Sequence, residues 1–347
     1  MKYKILGKSG LRVSELCLGV MGFGKEWGWG ADKEESKKVF DAYVEAGGNF
    51  IDTANYYTAG TSETYTGEFI AGNREQFVLA TKYTLGMKRG DPNSGGNHRK
   101  NMVQSVEASL KRLGTEYIDL YWLHMWDFTT PVDEVMRGLD DLVRQGKILH
   151  IGVSDTPAWI VARANTLAEL RGWSQFVAYQ VEYSLIQRTA ERDIIPLARE
   201  MDLTLTPWAP LAGGALTGKY LRNDPGRLKP ESVRLNDRSQ NIAREVVKIS
   251  EELHCSPAQV ALRWTMQQQV NAELQRGVVI PIVGATKEHQ IKDNLGAATI
   301  TLSDEQMKRL DDVSTFELGF PHDFLRTDNV RDLVSAGLYN VIENHHR

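Results

Sequence analysis

Hydrophobic residues are concentrated in eight short runs, and each run is followed by a polar residue and then by a longer amphipathic stretch. The runs are rich in β-branched and aromatic residues, a composition typical of buried strands. They cover residues 14–19, 49–53, 77–82, 117–124, 149–154, 176–180, 203–208 and 278–284. The pattern predicts eight strands.

The stretches between these runs carry the signals that begin and end helices. Glycines follow two of the amphipathic segments, in the way that glycine commonly ends a helix. Proline stands where a helix would begin at Pro131 and Pro157, and Asp155 is the predicted cap of the second of these helices. The predicted helices cover residues 31–46, 99–113, 131–144 and 258–268, with others beginning at Pro157 and Ser303.

Strands that alternate with helices indicate right-handed βαβ units and a parallel sheet. Eight such units, without a Gly-x-Gly-x-x-Gly turn after the first strand, favour a closed (β/α)8 TIM barrel over an open doubly wound sheet. We therefore predict an α/β protein with one domain over residues 1–347 and a barrel core over about 14–300. Residues 1–13 are predicted to form a hairpin that caps the barrel bottom, and residues 314–347 a C-terminal extension.

Composition and charge narrow the function classes. The 347-residue chain is 41% hydrophobic and 25% charged, which is the ordinary range of globular proteins. A net charge of −4 gives no basic footprint for nucleic acid or an anionic membrane, and no apolar stretch is long enough to span one. Cys17 and Cys255 are far apart and fit neither a zinc site nor a redox motif. We expect a cytoplasmic protein with a small-molecule substrate and no resident metal.

The residues that end the predicted strands are mostly able to ionise or to form hydrogen bonds. Because barrel enzymes keep their active sites at the carboxyl ends of the strands, these residues are expected to share one rim. A single Lys or Asp at such a position is ordinarily a solvated loop residue, whereas their convergence on one rim favours chemistry. The strand-end residues are Gly19, Asp52, Lys82, His124, Ser154, Gln180, Trp208 and Gly284.

Asp52, Lys82 and His124 end consecutive predicted strands, and Tyr57 follows Asp52 in a loop that can fold back over them. A lysine ammonium about 4 Å from a tyrosine stabilises the phenolate by roughly 4 kcal/mol at an effective dielectric near 20. This attraction would lower the pKa of the tyrosine, ordinarily about 10, by up to about three before desolvation is subtracted. Asp52 would hold Lys82 charged, and His124 would orient a carbonyl by donating a hydrogen bond. Together they form a proton donor beside a polarised carbonyl, and since no amino acid supplies a hydride, a nicotinamide cofactor is implied.

The segments that carry this chemistry resemble the aldo-keto reductase family in order and in sequence. The resemblance runs from about residue 2 to residue 314 and implies a (β/α) barrel that reduces aldehydes or ketones with NADPH, less often NADH. The matching segments are Asp52-Thr53-Ala54-Asn55-Tyr56-Tyr57, Ala80-Thr81-Lys82, Leu120-Tyr121-Trp122-Leu123-His124, Gly152-Val153-Ser154, Gln180-Val181-Glu182-Tyr183-Ser184, Trp208-Ala209-Pro210-Leu211 and Ile280-Pro281-Ile282-Val283-Gly284-Ala285.

Carried over by position, the resemblance assigns roles along the rim. Tyr57 would be the general acid, Lys82 and Asp52 its tuning pair, and His124 the carbonyl-orienting group. Ser154, Asp155 and Gln180 would face the nicotinamide carboxamide, and Trp208 would stack on the nicotinamide ring. The residues implied for the rest of the cofactor are Gly19, Met21, Asp52, Ala209, Pro210, Leu211, Gly213, Lys219, Arg234, Gly284, Thr286, Lys287, Gln290 and Asn294.

Two positions depart from the family pattern. Asp155 stands where the family usually has Asn, and a carboxylate accepts a hydrogen bond but cannot donate one. Thr286 stands where many relatives carry the Arg that binds the 2′-phosphate, with Lys287 beside it. Lys287 is either the replacement charge or a solvated residue at a helix start, and NADPH is preferred to NADH on the first interpretation.

The substrate side is defined only by position. Trp27 and Trp126 follow strands one and four at the catalytic end and are predicted to contact substrate together with Tyr57 and His124. An alternative function is a cofactor-loaded regulatory subunit with weak turnover, but such relatives carry Asn where this chain has His124. A metal-dependent hydrolase would need carboxylates and histidines on several strand ends. The predicted strand ends have only one of each, Asp52 and His124, which argues against that function. The sequence determines neither the oligomeric state nor the carbonyl compound.

Overall fold

The computed structural model describes residues 1–268 and 277–343 and contains the predicted barrel. Its strands and helices alternate along most of the chain. The strands are β1 Tyr3–Ile5, β2 Arg12–Ser14, β3 Cys17–Gly19, β4 Phe50–Asp52, β5 Val78–Tyr83, β6 Ile118–Leu123, β7 Ile148–Ser154, β8 Phe176–Glu182, β9 Thr204–Trp208 and β10 Ile282–Gly284. The helices are α1 Lys33–Glu45, α2 Thr61–Ile70, α3 Arg99–Leu113, α4 Val132–Arg144, α5 Ala158–Arg171, α6 Ile194–Glu200, α7 Asp237–Glu252, α8 Pro257–Gln267, α9 Glu288–Leu295, α10 Asp304–Val313, α11 His322–Leu325 and α12 Asp328–Val334.

Eight parallel strands pair in the order β10-β3-β4-β5-β6-β7-β8-β9. The circle closes between β9 and the residues before β10, where the Leu205 N–H donates to the Val278 carbonyl and the Ile280 N–H to the Leu205 carbonyl, each at 2.8 Å. The register sets Gly284 beside Gly19 and Gly19 beside Asp52. The strand-end residues therefore meet around one mouth, and the predicted (β/α)8 barrel is confirmed.

The antiparallel hairpin of β1 and β2 is confirmed as well, and it covers the amino-terminal ends of the strands. Leu6 and Val13 are fully buried in a cluster with the barrel residues Phe50 and Trp122. Gly7 has a φ of +48°, and a Cβ there would meet the Val177 carbonyl oxygen at 2.1 Å. Only glycine allows the hairpin turn to approach the barrel this closely.

Two layers of apolar side chains hold the barrel together. The inner layer fills the strand circle, and Gly152 makes room for Trp122, since a Cβ at Gly152 would lie 2.3 Å from the indole ring. The outer layer lies between the strands and the helices and includes Val39, Leu139 and Val161. The strands β5 and β6 are buried on both faces, as parallel strands under helices are, which explains their continuous apolar sequence.

Helix ends follow the predicted signals with one exception. Ser256 caps α8 by accepting the Gln259 N–H and Pro257 is its first residue, while Ser303 and Gln306 form a capping box on α10. The predicted cap of α5 is wrong. Pro157 occupies the cap position without a side-chain bond, and the Asp155 carboxylate instead accepts a hydrogen bond from Trp208. The prediction used only the residues next to the start of α5, whereas the partner that Asp155 actually binds, Trp208, lies 53 residues away in the sequence.

Candidate active site

The barrel mouth brings Asp52, Lys82 and His124 together, as the strand order predicts. Asp52 ends β4, Lys82 lies one residue before the end of β5, and His124 directly follows β6. Their side chains are buried, and the Lys82 ammonium donates to both the Asp52 carboxylate and the Thr53 carbonyl, the latter at 2.8 Å. A buried ion pair costs desolvation and is kept where its geometry serves a purpose.

Burial by itself depresses the pKa of Lys82, because a charged amine is disfavoured away from water. The Asp52 carboxylate outweighs this effect, and the pKa of Lys82 is raised above its ordinary value. Lys82 is therefore an ammonium ion at neutral pH. The Gln180 side-chain amide donates to the other Asp52 oxygen at 3.1 Å and holds the carboxylate in place.

Tyr57 lies over this ion pair at the end of a tight loop. The Lys82 Nζ is 4.8 Å from the centroid of the Tyr57 ring, and the His124 ring is 5.8 Å away, edge to face. The next two residues, Thr58 and Ala59, have positive φ angles of 46° and 55°. The Thr58 hydroxyl donates to the Phe23 carbonyl and fixes this strained turn, and such strain concentrates at functional sites.

The expected lowering of the Tyr57 pKa is not what the structure gives. Burial raises the pKa of Tyr57, and the attraction of Lys82 opposes this without overcoming it, partly because Asp52 also lies nearby. Desolvation, which the sequence does not quantify, is the largest contribution to the pKa of Tyr57. The consequence is a phenol that keeps its proton at neutral pH, which is the state a proton donor needs.

His124 is neutral at neutral pH. Burial and the nearby Lys82 ammonium lower the pKa of His124 to about 3. Its Nδ1 is buried and has no hydrogen-bond partner within residues 1–268 and 277–343. The Thr84 hydroxyl accepts the His124 backbone N–H at 3.2 Å and is itself bonded to Asn97, so the base of loop 83–97 positions the histidine.

Two residues expected to bind the carboxamide of the cofactor, Ser154 and Gln180, differ in their hydrogen bonding. The Ser154 hydroxyl is buried at the end of β7 and has no partner among the described side chains. The Gln180 amide nitrogen donates to Asp52, and its side-chain carbonyl oxygen has no hydrogen-bond partner in the described part of the chain. An orphaned hydroxyl at this rim fits a ligand that carries an amide group.

Asp155 does not make the contact that an Asn would be expected to make there. Its Oδ1 accepts the Trp208 indole N–H at 3.0 Å, and its own backbone has a φ of +39°. Burial raises the pKa of Asp155 to about 6, while the Trp208 hydrogen bond and the Lys82 ammonium oppose that rise. The carboxyl group therefore changes its charge close to pH 6.

Trp208 is held on two sides at the mouth. Asp155 accepts from its ring nitrogen, and the Arg234 guanidinium lies 5.9 Å from the ring centroid. Arg234 is in turn ion-paired with Glu182, which neighbours Trp208 across β8 and β9. The indole is thereby fixed before any ligand arrives, and a fixed aromatic face suits a ring that stacks on it.

The segment after Trp208 is a run of turns with unusual backbone angles. Ala209 and Ala212 have positive φ angles of 51° and 49°, and Gly213 follows at 69°. Within this segment the Ala212 N–H donates to the Ala209 carbonyl at 2.7 Å and the Gly214 N–H to the Leu211 carbonyl at 2.9 Å. A Cβ at Gly213 would lie 3.5 Å from the Arg234 guanidinium, and a Cβ at Gly214 would lie 3.6 Å from the Lys219 ammonium. Cations beside such backbone fit the pyrophosphate of a dinucleotide; Pro210 and Leu211 belong to the same segment.

The residues expected at the adenosine end gather where β3, β10 and α9 meet. Gly284 neighbours Gly19, and Thr286 packs on the glycine loop after Met21, with its methyl 3.3 Å from where a Gly22 Cβ would be. The Gln290 side chain accepts the Thr286 N–H at 3.0 Å. Asn294 is buried farther along α9, and Lys287 is exposed at its start.

An aromatic cluster borders Tyr57 on the substrate side. Trp27 lies 6.2 Å from Tyr57, edge to face, and 5.9 and 6.0 Å from Trp29 and Tyr56. Trp126 is half-buried in the loop after β6, and its backbone N–H donates to the Asp155 carbonyl at 3.4 Å. The aromatic border observed at Tyr57 is therefore formed by Trp27 and its neighbours Trp29 and Tyr56.

Two contacts in this region were missed from the sequence. The Arg227 guanidinium lies 4.2 Å from the Trp29 ring centroid, so the segment after β9 touches the loop after β3. Tyr56 completes the aromatic cluster. Arg227 lies in a polar stretch without periodicity, and only the presence of Arg and aromatic residues in two catalytic-side loops hinted at a contact.

Within residues 1–268 and 277–343, no cluster of three or more His, Cys, Asp or Glu side chains is arranged to hold a metal ion. In the same ranges no helix is both long and apolar enough to cross a membrane.

Comparison with known proteins gives a consistent result. The model of the aldo/keto reductase family matches residues 15–315. The chain is 40% identical to the aryl-alcohol dehydrogenase [NADP(+)] of Phanerodontia chrysosporium over 336 residues, 90% of this chain and 86% of that protein. It is 38% identical to norsolorinic acid reductase of Aspergillus flavus over 335 residues (93% and 84%) and 39% identical to norsolorinic acid reductase B of Dothistroma septosporum over 346 residues (94% and 84%). Since the match spans the whole barrel with its mouth, the chain is an oxidoreductase that belongs to the aldo/keto reductase family.

Proposed function

We propose that this protein reduces aromatic aldehydes or ketones to alcohols with NADPH as the preferred cofactor and Tyr57 as the proton donor. The observation that carries the proposal is the position of Tyr57, between a buried Lys82–Asp52 ion pair and a neutral His124. Carbonyl reduction needs a hydride on carbon and a proton on oxygen. NADPH, when bound, supplies the hydride.

The protein supplies the rest of the chemistry in this account. His124, being neutral, donates a hydrogen bond from its ring and orients the carbonyl without giving up a full proton. Tyr57 gives its hydroxyl proton to the carbonyl oxygen, and the adjacent ammonium of Lys82 stabilises the phenolate that forms. The proton sits on Tyr57 beforehand because burial raises the pKa of its phenol.

The remaining site residues hold the cofactor in this proposal. The free Ser154 hydroxyl and the Gln180 carbonyl oxygen bind the carboxamide, and Trp208 provides the stacking face. The turns at Gly213, with Lys219 and Arg234, hold the pyrophosphate. Thr286 and Lys287 lie at the adenosine end, and the NADP(+) in the printed name of one relative supports NADPH.

Aromatic substrates are proposed on two grounds. Trp27 lies beside Tyr57 and Tyr56 packs against Trp27, and such aromatic surfaces favour planar aromatic groups. In addition, one of the relatives is named as an aryl-alcohol dehydrogenase.

The proposal is tested by steady-state turnover of matched aromatic and aliphatic aldehydes, followed by the loss of NADPH absorbance. We expect a higher kcat/KM for the aromatic member of each pair, and a loss of that advantage in Trp27→Ala. Nucleotide binding without turnover of any carbonyl would contradict the proposal and favour a cofactor-loaded regulatory subunit.

A further inference from the structure

A carboxylate from another helix occupies the start of α9. Glu35, on α1, accepts the backbone N–H of Glu288 at 3.0 Å through one oxygen, and its other oxygen lies 3.8 Å from the Lys287 ammonium. Lys287 is the cap residue of α9 and has no side-chain cap of its own. The side chain of Glu35 is 21% exposed, whereas that of Lys287 is 56% exposed, so the carboxylate is held between the two helices while the ammonium faces solvent.

A second donor of this turn is also engaged. The Thr286 N–H is bonded to the Gln290 side chain, and the Thr286 hydroxyl lies 3.4 Å from the same oxygen. Asp32, at the start of α1, is close enough to Lys287 to feel its charge, and Lys38 and Lys292 lie near Glu288. The cation proposed for the 2′-phosphate is therefore already paired with an acid from α1.

Phosphate and hydroxyl respond differently to this arrangement. A 2′-phosphate competes with the Glu35 carboxylate for the same positive helix end and is repelled by it. A ribose 2′-hydroxyl can donate a hydrogen bond to a carboxylate instead. We propose that Glu35 is a specificity-determining residue that weakens discrimination in favour of the 2′-phosphate. This inference rests on the proposed function, since it concerns the cofactor of that same site.

The chain offers an isosteric variant and a matched control. Glu35→Gln keeps an oxygen that can accept the Glu288 N–H but removes the charge. Glu34→Gln removes the same charge one residue away, where the side chain is 83% exposed and paired with Lys38. The dissociation constants of NADP⁺ and NAD⁺ are measured by isothermal titration calorimetry at low ionic strength, with no turnover needed.

We expect Glu35→Gln to bind NADP⁺ about two- to fivefold more tightly than the unchanged protein, the range for one charge at a helix end. NAD⁺ affinity should stay the same or fall, and Glu34→Gln should leave the ratio of the two constants unchanged. An unchanged ratio in Glu35→Gln, with both nucleotides still binding, overturns the role of Glu35 and leaves the proposed function intact. Failure of the unchanged protein to bind either nucleotide overturns the proposed function and this inference with it.

Discussion

At the residue scale, burial and nearby charged groups determine the protonation state of each side chain in the site. Asp52 keeps Lys82 charged, while burial keeps His124 neutral and Tyr57 protonated. These states are the ones that carbonyl reduction needs at neutral pH. Asp155 differs, because its pKa of about 6 lets it be either an acceptor or a donor.

Because the pKa of Asp155 is about 6, we predict that nucleotide binding depends on pH. Above pH 6 the carboxylate only accepts, and it accepts from Trp208; below pH 6 the protonated group can also donate to a carboxamide. We expect the dissociation constant of NADH to fall about two- to tenfold as the pH drops through 6, the value of one hydrogen bond. The probe is NADH because the 2′-phosphate of NADPH itself titrates near pH 6, as phosphate monoesters do at about that value.

The control for this prediction is Asp155→Asn, which can accept from Trp208 and donate at any pH. Its binding of NADH should be independent of pH between about 5 and 7.5. A pH slope of equal size in Asp155→Asn would show that a group other than Asp155 titrates.

At the element scale, the loops after the strands carry the ligand contacts while the strands hold them in register. The turn after β9 stores backbone strain at Ala209 and Ala212, and the loop after β4 stores it at Thr58 and Ala59. Both segments border the mouth. Since strain of this kind persists only where surrounding structure enforces it, both loops are expected to be preformed before ligand binds.

Gly213→Ala tests the turn after β9. Gly213 has a φ of +69°, and a Cβ would meet a Leu228 methyl at 2.9 Å. We expect NADP⁺ affinity to fall several-fold, because the turn must shift, and unfolding free energy to fall by about 1–2 kcal/mol, the cost of the left-handed backbone.

Gly172→Ala is the control for that variant. Gly172 has a similar φ of +64°, nothing lies within 4 Å of its Cβ position, and it ends α5 away from the mouth. It should lose a similar amount of stability and bind NADP⁺ normally. Equal binding by both variants would show that the turn does not hold the cofactor.

At the scale of the whole molecule, the hairpin and the barrel share one core. Leu6 is fully buried at the bottom of the barrel, on the face opposite Tyr57, whereas Ile5 beside it is 46% exposed. Leu6→Ala should lower the unfolding free energy by about 2–5 kcal/mol, as buried leucine truncations do. The measurement is urea unfolding, with kcat determined on the folded fraction.

Ile5→Ala should change the unfolding free energy by less than about 0.5 kcal/mol, and kcat should be unchanged in both variants. A large loss of kcat in folded Leu6→Ala would mean that the bottom of the barrel affects the mouth.

The single domain and the division of the chain at residues 14, 300 and 314 stay predictions.

The sequence predicted those features that depend on local periodicity. All eight barrel strands were found within a few residues, and α3 was predicted with the bounds that it has, because Gly114 marks its end. The meeting of Asp52, Lys82 and His124 followed from topology alone. The match of the family model over residues 15–315 confirms the reductase fold.

What the sequence did not predict are contacts between distant elements. Three contacts join segments that lie far apart in the chain. They are the hydrogen bond from Trp208 to Asp155, the packing of Arg227 on Trp29, and the hydrogen bond from the Glu288 N–H in α9 to Glu35. Each involves polar residues that look solvated in a local window. The pKa of Tyr57 was misjudged for a related reason, since desolvation is set by the whole surrounding structure.

The most direct test of the central claim is Tyr57→Phe, measured in parallel for NADPH binding and for NADPH-dependent reduction of an aromatic aldehyde. The substitution removes one hydroxyl and keeps the ring that contacts Trp27 and His124. We predict that kcat falls by about 10²- to 10⁴-fold, the usual contribution of a general acid, while the NADPH dissociation constant changes less than about threefold, since the lost hydroxyl is assigned no cofactor contact. Turnover within about tenfold of the unchanged protein, well below that general-acid range, would contradict the assignment of Tyr57 as the proton donor.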